Sequence, residues 1–232
     1  MTLQVAATIP AYQAAPSVGA VARGALRLLP EVLVIDDGST DGTAEEARRA
    51  GARVVSFAHN RGKGAALSFA FQDLFSRGFD GVITLDADGQ HLPEEIPKLL
   101  RAREEQGGEL VLGIRDHLFG EMGPLRRASN RLSSKAISFA AGQRLADIQT
   151  GFRFYSRKLI EEVGFPGARF EAESAVVVRA ARRGFKVVTV PVRLGFADGR
   201  TTSHYRPLLD SLRIAGAVTR ARLEMLGWAR SS

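Results

Sequence analysis

Cysteine is absent from the 232-residue chain. That excludes disulfide scaffolds, thiolate metal sites and cysteine nucleophiles together, and it leaves no record of redox compartment. Lysine is scarce: among 32 basic residues only Lys63, Lys98, Lys135, Lys158 and Lys186 are lysines. Aromatic residues make up only 7%, few for a protein that stacks nucleic-acid bases. No apolar run approaches the roughly 18 residues that mark a spanning helix. The N-terminus runs straight into a strand pattern, without the charged-then-apolar layout of a signal peptide. These absences lead us to expect a soluble, cytoplasmic protein.

What is present is an ordinary globular mixture, 45% hydrophobic and 25% charged, in which disorder is not expected. A chain of this length suits one large α/β domain and can bury a core without staples. The formal charge is +7 and the pI about 10.3. Arginine supplies most of it, and arginine forks suit the phosphates of a nucleotide, a nucleic acid or a lipid head group.

The first half alternates short apolar runs with amphipathic stretches. Strands are expected at Val5–Pro10, Glu31–Asp36, Arg53–Ala58, Gly81–Asp86 and Leu110–Ile114, with helices near Ser17–Leu29, Thr43–Ala50, Gly64–Arg77 and Glu94–Glu105. That alternation indicates βαβ units in a mostly parallel sheet covered on both faces. The second half is less regular. Helices are expected at about 124–140, 158–163 and 171–183, the last ending at Gly184 as a C-cap. Lys186–Arg193 reads as a strand whose Pro191 suggests an edge, and residues 207–228 form an amphipathic tail helix. No linker divides the chain, so residues 1–232 are expected to form a single domain.

Two strands end in acidic clusters, Asp36-Asp37-Gly38-Ser39-Thr40-Asp41 and Asp86-Ala87-Asp88-Gly89-Gln90-His91. In an open parallel sheet the carboxyl ends of the strands line the ligand crevice, so both clusters should face one cleft. Ser39, Thr40 and Asp41 are good helix N-caps. Capping needs one such residue, and Asp37 before the turn could also accept hydrogen bonds from a base or ribose. In the second cluster Asp86, Asp88 and Gln90 place oxygen donors on alternate residues. Such a set, without His or Cys support, suits Mg²⁺ or Mn²⁺ completed by water and substrate phosphate. A lone D-x-D is common as surface decoration; its place after a buried strand in a basic protein gives it weight. Asn60-Arg61-Gly62-Lys63-Gly64 opens a helix, where glycines allow close approach to phosphate and Lys63 adds a point charge. The same run also reads as a tight turn, and it lacks P-loop spacing.

Together these motifs resemble the family-2 glycosyltransferases of GT-A fold, and among them the polyprenyl-phosphate sugar transferases of the dolichyl-phosphate mannose or glucose synthase type. The resemblance is carried by Pro10-Ala11-Tyr12-Gln13 (with Gln13 for the usual Asn), by D-D-G-S-T-D-G-T, by N-R-G-K-G-A-A-L and by L-D-A-D-G-Q-H. Asp147-Ile148-Gln149-Thr150-Gly151-Phe152-Arg153, Phe170–Glu173, Val190–Val192 and Ser203–Arg206 continue it. It implies a GT-A domain with a nucleotide-sugar-binding half at 1–115 and an acceptor half at 116–232. It implies a GDP- or UDP-sugar donor, with Asp37 on the base or ribose and Pro10 and Tyr12 lining the nucleotide pocket. Asp86, Asp88 and Gln90 would position Mg²⁺ or Mn²⁺ on the diphosphate. Inversion at the transferred hexose is implied as well.

A lipid phosphate acceptor is already anionic and needs cations rather than a general base. Arg115, Arg127 and Arg131 are the candidates, by resemblance to the acceptor-phosphate arginines of that branch. A hydroxyl acceptor, on a saccharide or small molecule, needs a base instead, and Asp147, Glu171 and Glu173 are then available. Glu171 and Glu173 also simply favour a helix N-terminus. His91 is expected to orient its loop rather than ligate metal; His204 could touch phosphate or stay on the surface. Arg206, Arg213 and Arg220 line one side of the tail helix, which either packs on the domain or rests on anionic lipid. In the second case the protein sits at the inner membrane surface. A nucleic-acid-binding module, prompted by charge alone, is the non-enzymatic alternative; few aromatics and two acidic clusters weigh against a nucleic-acid partner. A nucleotidyltransferase fits the G-F-R segment poorly.

Overall fold

The computed structural model describes residues 3–114, 150–167 and 171–195. The expected helices at 124–140 and 207–228 lie outside the described residues. So do Arg115, Arg127, Arg131, Asp147 and His204.

Seven strands form one sheet: β1 (Val5–Ala11), β2 (Val32–Asp36), β3 (Arg53–Ser56), β4 (Gly81–Thr84), β5 (Leu110–Ile114), β6 (Arg153–Ser156) and β7 (Val187–Pro191), in the order β3-β2-β1-β4-β6-β5-β7. The sequence runs VAATIPA, VLVID, GVIT and LVLGI are almost wholly buried, as strands covered on both faces must be. All pairings are parallel except those of β6, which runs antiparallel to both β4 and β5. β7 is an outer strand with Pro191 at its end, as that proline leads one to expect.

Six α-helices are described: α1 (Ala15–Leu26), α2 (Thr43–Arg49), α3 (Lys63–Ser76), α4 (Ile96–Gln106), α5 (Arg157–Val163) and α6 (Glu171–Arg182). On one face of the sheet α1, α2 and α4 place Val18, Ala22, Ala47, Ile96 and Leu99 against Ala7, Ile9, Val34 and Ile83. On the other, α3, α5 and α6 place Leu67, Phe71, Leu74, Leu159 and Val176 against Ala6, Leu33, Ile35 and Val82. The two cores are the expected double cover.

β6 is the departure from the expected pattern. Its sequence, Arg-Phe-Tyr-Ser, shows no alternation, yet all four residues are buried. Arg153 can enter because its guanidinium donates to Thr150 O at 2.7 Å and Glu173 O at 2.8 Å. The insertion of β6 brings Thr150–Phe152 from the far half of the chain beside the end of β4, with Thr84 opposite Arg153.

Candidate active site

The carboxyl ends of β1, β2 and β4 meet along one edge. At the end of β2, Asp36 accepts from Ser39 N at 3.0 Å and so closes the turn. Asp37 is 3% exposed, and its two oxygens accept from Arg61 N at 2.7 Å and Gly62 N at 2.8 Å. The carboxylate therefore fixes the loop that leads into α3. Gly38, at φ +79°, allows this approach: a Cβ there would lie 2.7 Å from the backbone of His59. Asp41 accepts from Thr43 N at 3.0 Å and Ala15 N at 3.1 Å, tying the starts of α2 and α1 together. The N-cap position of α2 itself falls on Gly42, in the left-handed region and without a side-chain cap bond, so none of Ser39, Thr40 and Asp41 is its cap, and Asp37 does something separate.

Gln13 follows β1 with φ +52°, the one described non-glycine residue in the left-handed region. That conformation favours Asn, and Gln is held in it by bonds to its neighbours. Gln13 N donates to Ser39 Oγ at 2.9 Å, and its side chain exchanges hydrogen bonds with Thr40. Tyr12 beside it is 38% exposed and Pro10 half-buried. Both stand at the carboxyl edge of the sheet, where β1 pairs with the end of β2 just before Asp37.

After β4, Asp86 and Asp88 take different roles. Asp86 Oδ1 accepts from Lys63 Nζ at 2.7 Å, and its backbone N–H donates to His91 Nδ1 at 3.1 Å. His91 is 4% exposed and stacks on Phe152 at 5.5 Å, so its ring is packed inside the loop that carries the two aspartates. Gly151 supplies the opposite wall. A Cβ on it would sit 2.4 Å from Asp86 Oδ2, so the carboxylate rests directly on a bare backbone, held there by Thr84 Oγ1 donating to Gly151 O at 2.7 Å. Asp88, by contrast, has one oxygen accepting from Gln90 N at 2.9 Å and pairs with no cation among the described residues. Ser17 Oγ donates to Ala87 O at 2.6 Å and anchors the loop between the two aspartates.

Lys63 opens α3 and does not point out as a solvated charge. Its Nζ lies 2.7 Å from Asp86 Oδ1 and 3.0 Å from Glu173 Oε2, with the side chain 14% exposed. Burial disfavours its charge, but the two carboxylates outweigh burial and hold the ammonium above its ordinary range. Behind it, Arg153 Nε lies 3.8 Å from Glu173 Oε1. Tyr155 accepts from Arg153 at 3.3 Å; its hydroxyl is pushed up to about 12, mainly by burial, and stays protonated.

The structure thus brings Pro10, Tyr12, Asp37, Lys63, Asp86, Asp88 and Gln90 to one edge. Among the described residues no group of three or more His, Asp or Glu side chains could hold a metal ion. The donor set is Asp88, with Gln90 and Asp86 beside it, all oxygen. With no counter-cation for Asp88 among the described residues, that set fits a hard dication that takes the rest of its shell from water and phosphate. Sequence reasoning gave no role to Gly151, Arg153 or Thr84. Only the G-F-R motif marked the segment, without saying that it would abut Asp86.

The sequence matches the family described as glycosyl transferase family 2 over residues 7–164. It is 36% identical over 190 residues to glycosyltransferase AglJ of Haloferax volcanii, covering 81% of this chain and 60% of that one. It is 34% identical over 175 residues to a polyprenol monophosphomannose synthase of Mycolicibacterium smegmatis, covering 69% and 65%. The chain therefore spans less than two thirds of these two relatives. An undecaprenyl-phosphate mannosyltransferase of Micrococcus luteus is matched more fully, at 31% identity over 97% of this chain and 94% of that one. Among solved structures, glucosyl-3-phosphoglycerate synthase of Mycobacterium tuberculosis with Mn²⁺, UDP-glucose and phosphoglyceric acid superposes with a TM-score of 0.72. It does so at 21% identity, over 95% of this chain and 80% of that one, a likeness of fold. By sequence the chain belongs to glycosyl transferase family 2, on a GT-A fold.

Proposed function

We propose that this chain is a metal-dependent, inverting hexosyltransferase that moves a sugar from a GDP- or UDP-sugar to a polyprenyl phosphate. The observation that carries it is the pair of aspartates after β4: Asp86 immobilised between Lys63 and Gly151, and Asp88 beside it with no counter-cation among the described residues.

Pro10, Tyr12, Asp37, Lys63 and Asp86 form the donor side. Asp37 acts there mainly by fixing the backbone of Arg61 and Gly62, and the second lone pair on each oxygen remains for a ribose or base. Asp88 and Gln90, with Asp86, would hold Mg²⁺ or Mn²⁺. Such an ion, when bound, neutralises charge that develops on the departing diphosphate. Neighbouring structures that hold Mn²⁺ with UDP or UDP-glucose, and Mg²⁺ with UDP, lend support at the level of fold.

The acceptor follows from charge. Relatives named as acting on polyprenol or undecaprenyl phosphate favour a lipid phosphate, whose oxygen attacks without a base. Arg115, Arg127 and Arg131 are assigned to hold it. For a hydroxyl acceptor, Glu173 is an unsuitable base, since its carboxylate is committed to Lys63 beside Arg153; Asp147 or Glu171 would take that role. No described helix is long and apolar enough to cross a membrane. Peripheral contact with the cytoplasmic surface, through the arginine-lined tail, would bring the site to a lipid acceptor.

The test is a thermal-shift screen with Mn²⁺ and UDP-, GDP- and CDP-sugars. A donor at 100 times its Kd should stabilise by about 2.7 kcal/mol, or roughly 5–10 °C for a domain of this size. The proposal fails if no nucleotide sugar moves the transition. Arg127→Ala then separates acceptors: a phosphate acceptor requires a large loss of transfer, a hydroxyl acceptor almost none.

A further inference from the structure

Glu173 is the third residue of α6, with its side chain 7% exposed. One oxygen, Oε2, lies 3.0 Å from Lys63 Nζ. The other, Oε1, is enclosed and has no hydrogen-bond partner. A buried carboxylate oxygen without a donor is unfavourable, so its presence beside the donor site calls for a reason. Arg153 compensates its charge as an ion pair, with Nε 3.8 Å away, but donates no hydrogen bond to it and gives one to the Glu173 carbonyl instead.

Lys63 joins two carboxylates of unequal depth. Asp86 is 33% exposed at the cleft, whereas Glu173 lies behind it. A dication at Asp86 and Asp88 would meet an ammonium 2.7 Å from the same carboxylate, and at that range like charges repel strongly. The spare oxygen of Glu173 offers the ammonium a second acceptor on the buried side, with charge compensation unchanged.

Resting on the donor-site reading above, we propose that Lys63 is an internal counter-ion for Asp86, drawn onto both oxygens of Glu173 when a divalent cation and diphosphate bind. Glu173 is then a positioning residue that sets the affinity of Asp86 for metal. Lys63 then serves the donor side through Asp86, holding the empty site together rather than contacting sugar or phosphate itself.

The test uses full-length protein and Mn²⁺ followed by loss of its free-ion EPR signal, alone and then with UDP or GDP. Lys63→Met should tighten Mn²⁺ binding by about tenfold or more, since a neighbouring positive charge is gone. A damaged site cannot give that gain. Glu173→Gln should weaken Mn²⁺ binding by about tenfold, because the ammonium stays on Asp86. In the Lys63→Met background the Glu173→Gln effect should vanish, the sign of two residues acting through one another. Glu173→Asp, which restores a carboxylate, should recover part of the loss. The inference is overturned if Lys63→Met weakens Mn²⁺ or nucleotide binding, which would make Lys63 a phosphate ligand, or if Glu173→Gln costs the same in both backgrounds. Should the wild-type protein bind Mn²⁺ with neither nucleotide, the proposed function itself falls and takes this inference with it.

Discussion

Replacing Gly151 by alanine perturbs the centre by a known amount. The new Cβ would lie 2.4 Å and 2.5 Å from the two carboxylate oxygens of Asp86 and 2.7 Å from its Cγ, where ordinary contact begins near 3.4 Å. Something must yield by about 1 Å, and Gly151 is itself held by Thr84 through its carbonyl. The yielding group is the Asp86 carboxylate, whose 2.7 Å bond to Lys63 is then broken. Overpacking of this kind costs about 1–3 kcal/mol in stability, and misplacing a reacting constellation by about 1 Å costs on the order of 100-fold in rate. Thr84→Val is the matched comparison: it removes the hydrogen bond to Gly151 at a similar stability cost of about 1–3 kcal/mol without pushing on Asp86. Melting curves and transfer of labelled sugar from UDP- or GDP-sugar to polyprenyl phosphate in detergent are the assays. Both variants should melt earlier, but only Gly151→Ala should lose transfer by the larger factor. Wild-type turnover in Gly151→Ala would refute the view that Asp86 must stand where it does.

Two further outcomes follow from the geometry. Asp37→Ala orphans the backbone N–H groups of Arg61 and Gly62; urea denaturation should show a loss of about 3–6 kcal/mol, each of the two bonds to a charged acceptor being worth about 1.5–3 kcal/mol. Glu95 is 1% exposed and pairs with Lys98 and Arg193. Burial opposes its charge, yet the two cations prevail and hold its carboxyl below the ordinary 4.5. The stability it supplies is therefore complete above about 4.5 and drains as the pH falls through the lower folded value. Glu95→Gln should flatten the acid limb of a plot of melting temperature against pH; an unchanged limb would refute this.

Most of the sheet is legible in the sequence because parallel strands covered on both faces must be written as apolar runs. Val5–Ala11 and Leu110–Ile114 show this plainly. β6 is not legible, because an arginine and a serine bracket it and its burial depends on partners elsewhere. Thr150 O and the Glu173 backbone take up Arg153 only in the folded chain. The carboxylates were findable from their place after strands, but their division of labour was not. That Asp86 is paired, and Asp88 has no cation partner among the described residues, follows from Lys63 and Gly151, which lie 23 residues before Asp86 and 65 after it in sequence. Lys63 reads as a phosphate cation in the motif and is a carboxylate partner in the fold. Gln13 marks a left-handed position that sequence could flag only through the residue it replaces.

The antiparallel β6 lies between β4 and β5, which come earlier in the chain. Strands two places apart are about 10 Å distant, too far to share a backbone ladder. A nascent chain that has emerged only through β5 accordingly carries a cleft in its sheet, with the edges of β4 and β5 both unpaired. Synthesis must proceed past Ser156 before the gap is bridged and Asp86 acquires its backing, so no fragment ending at residue 115 should recognise a nucleotide sugar unaided.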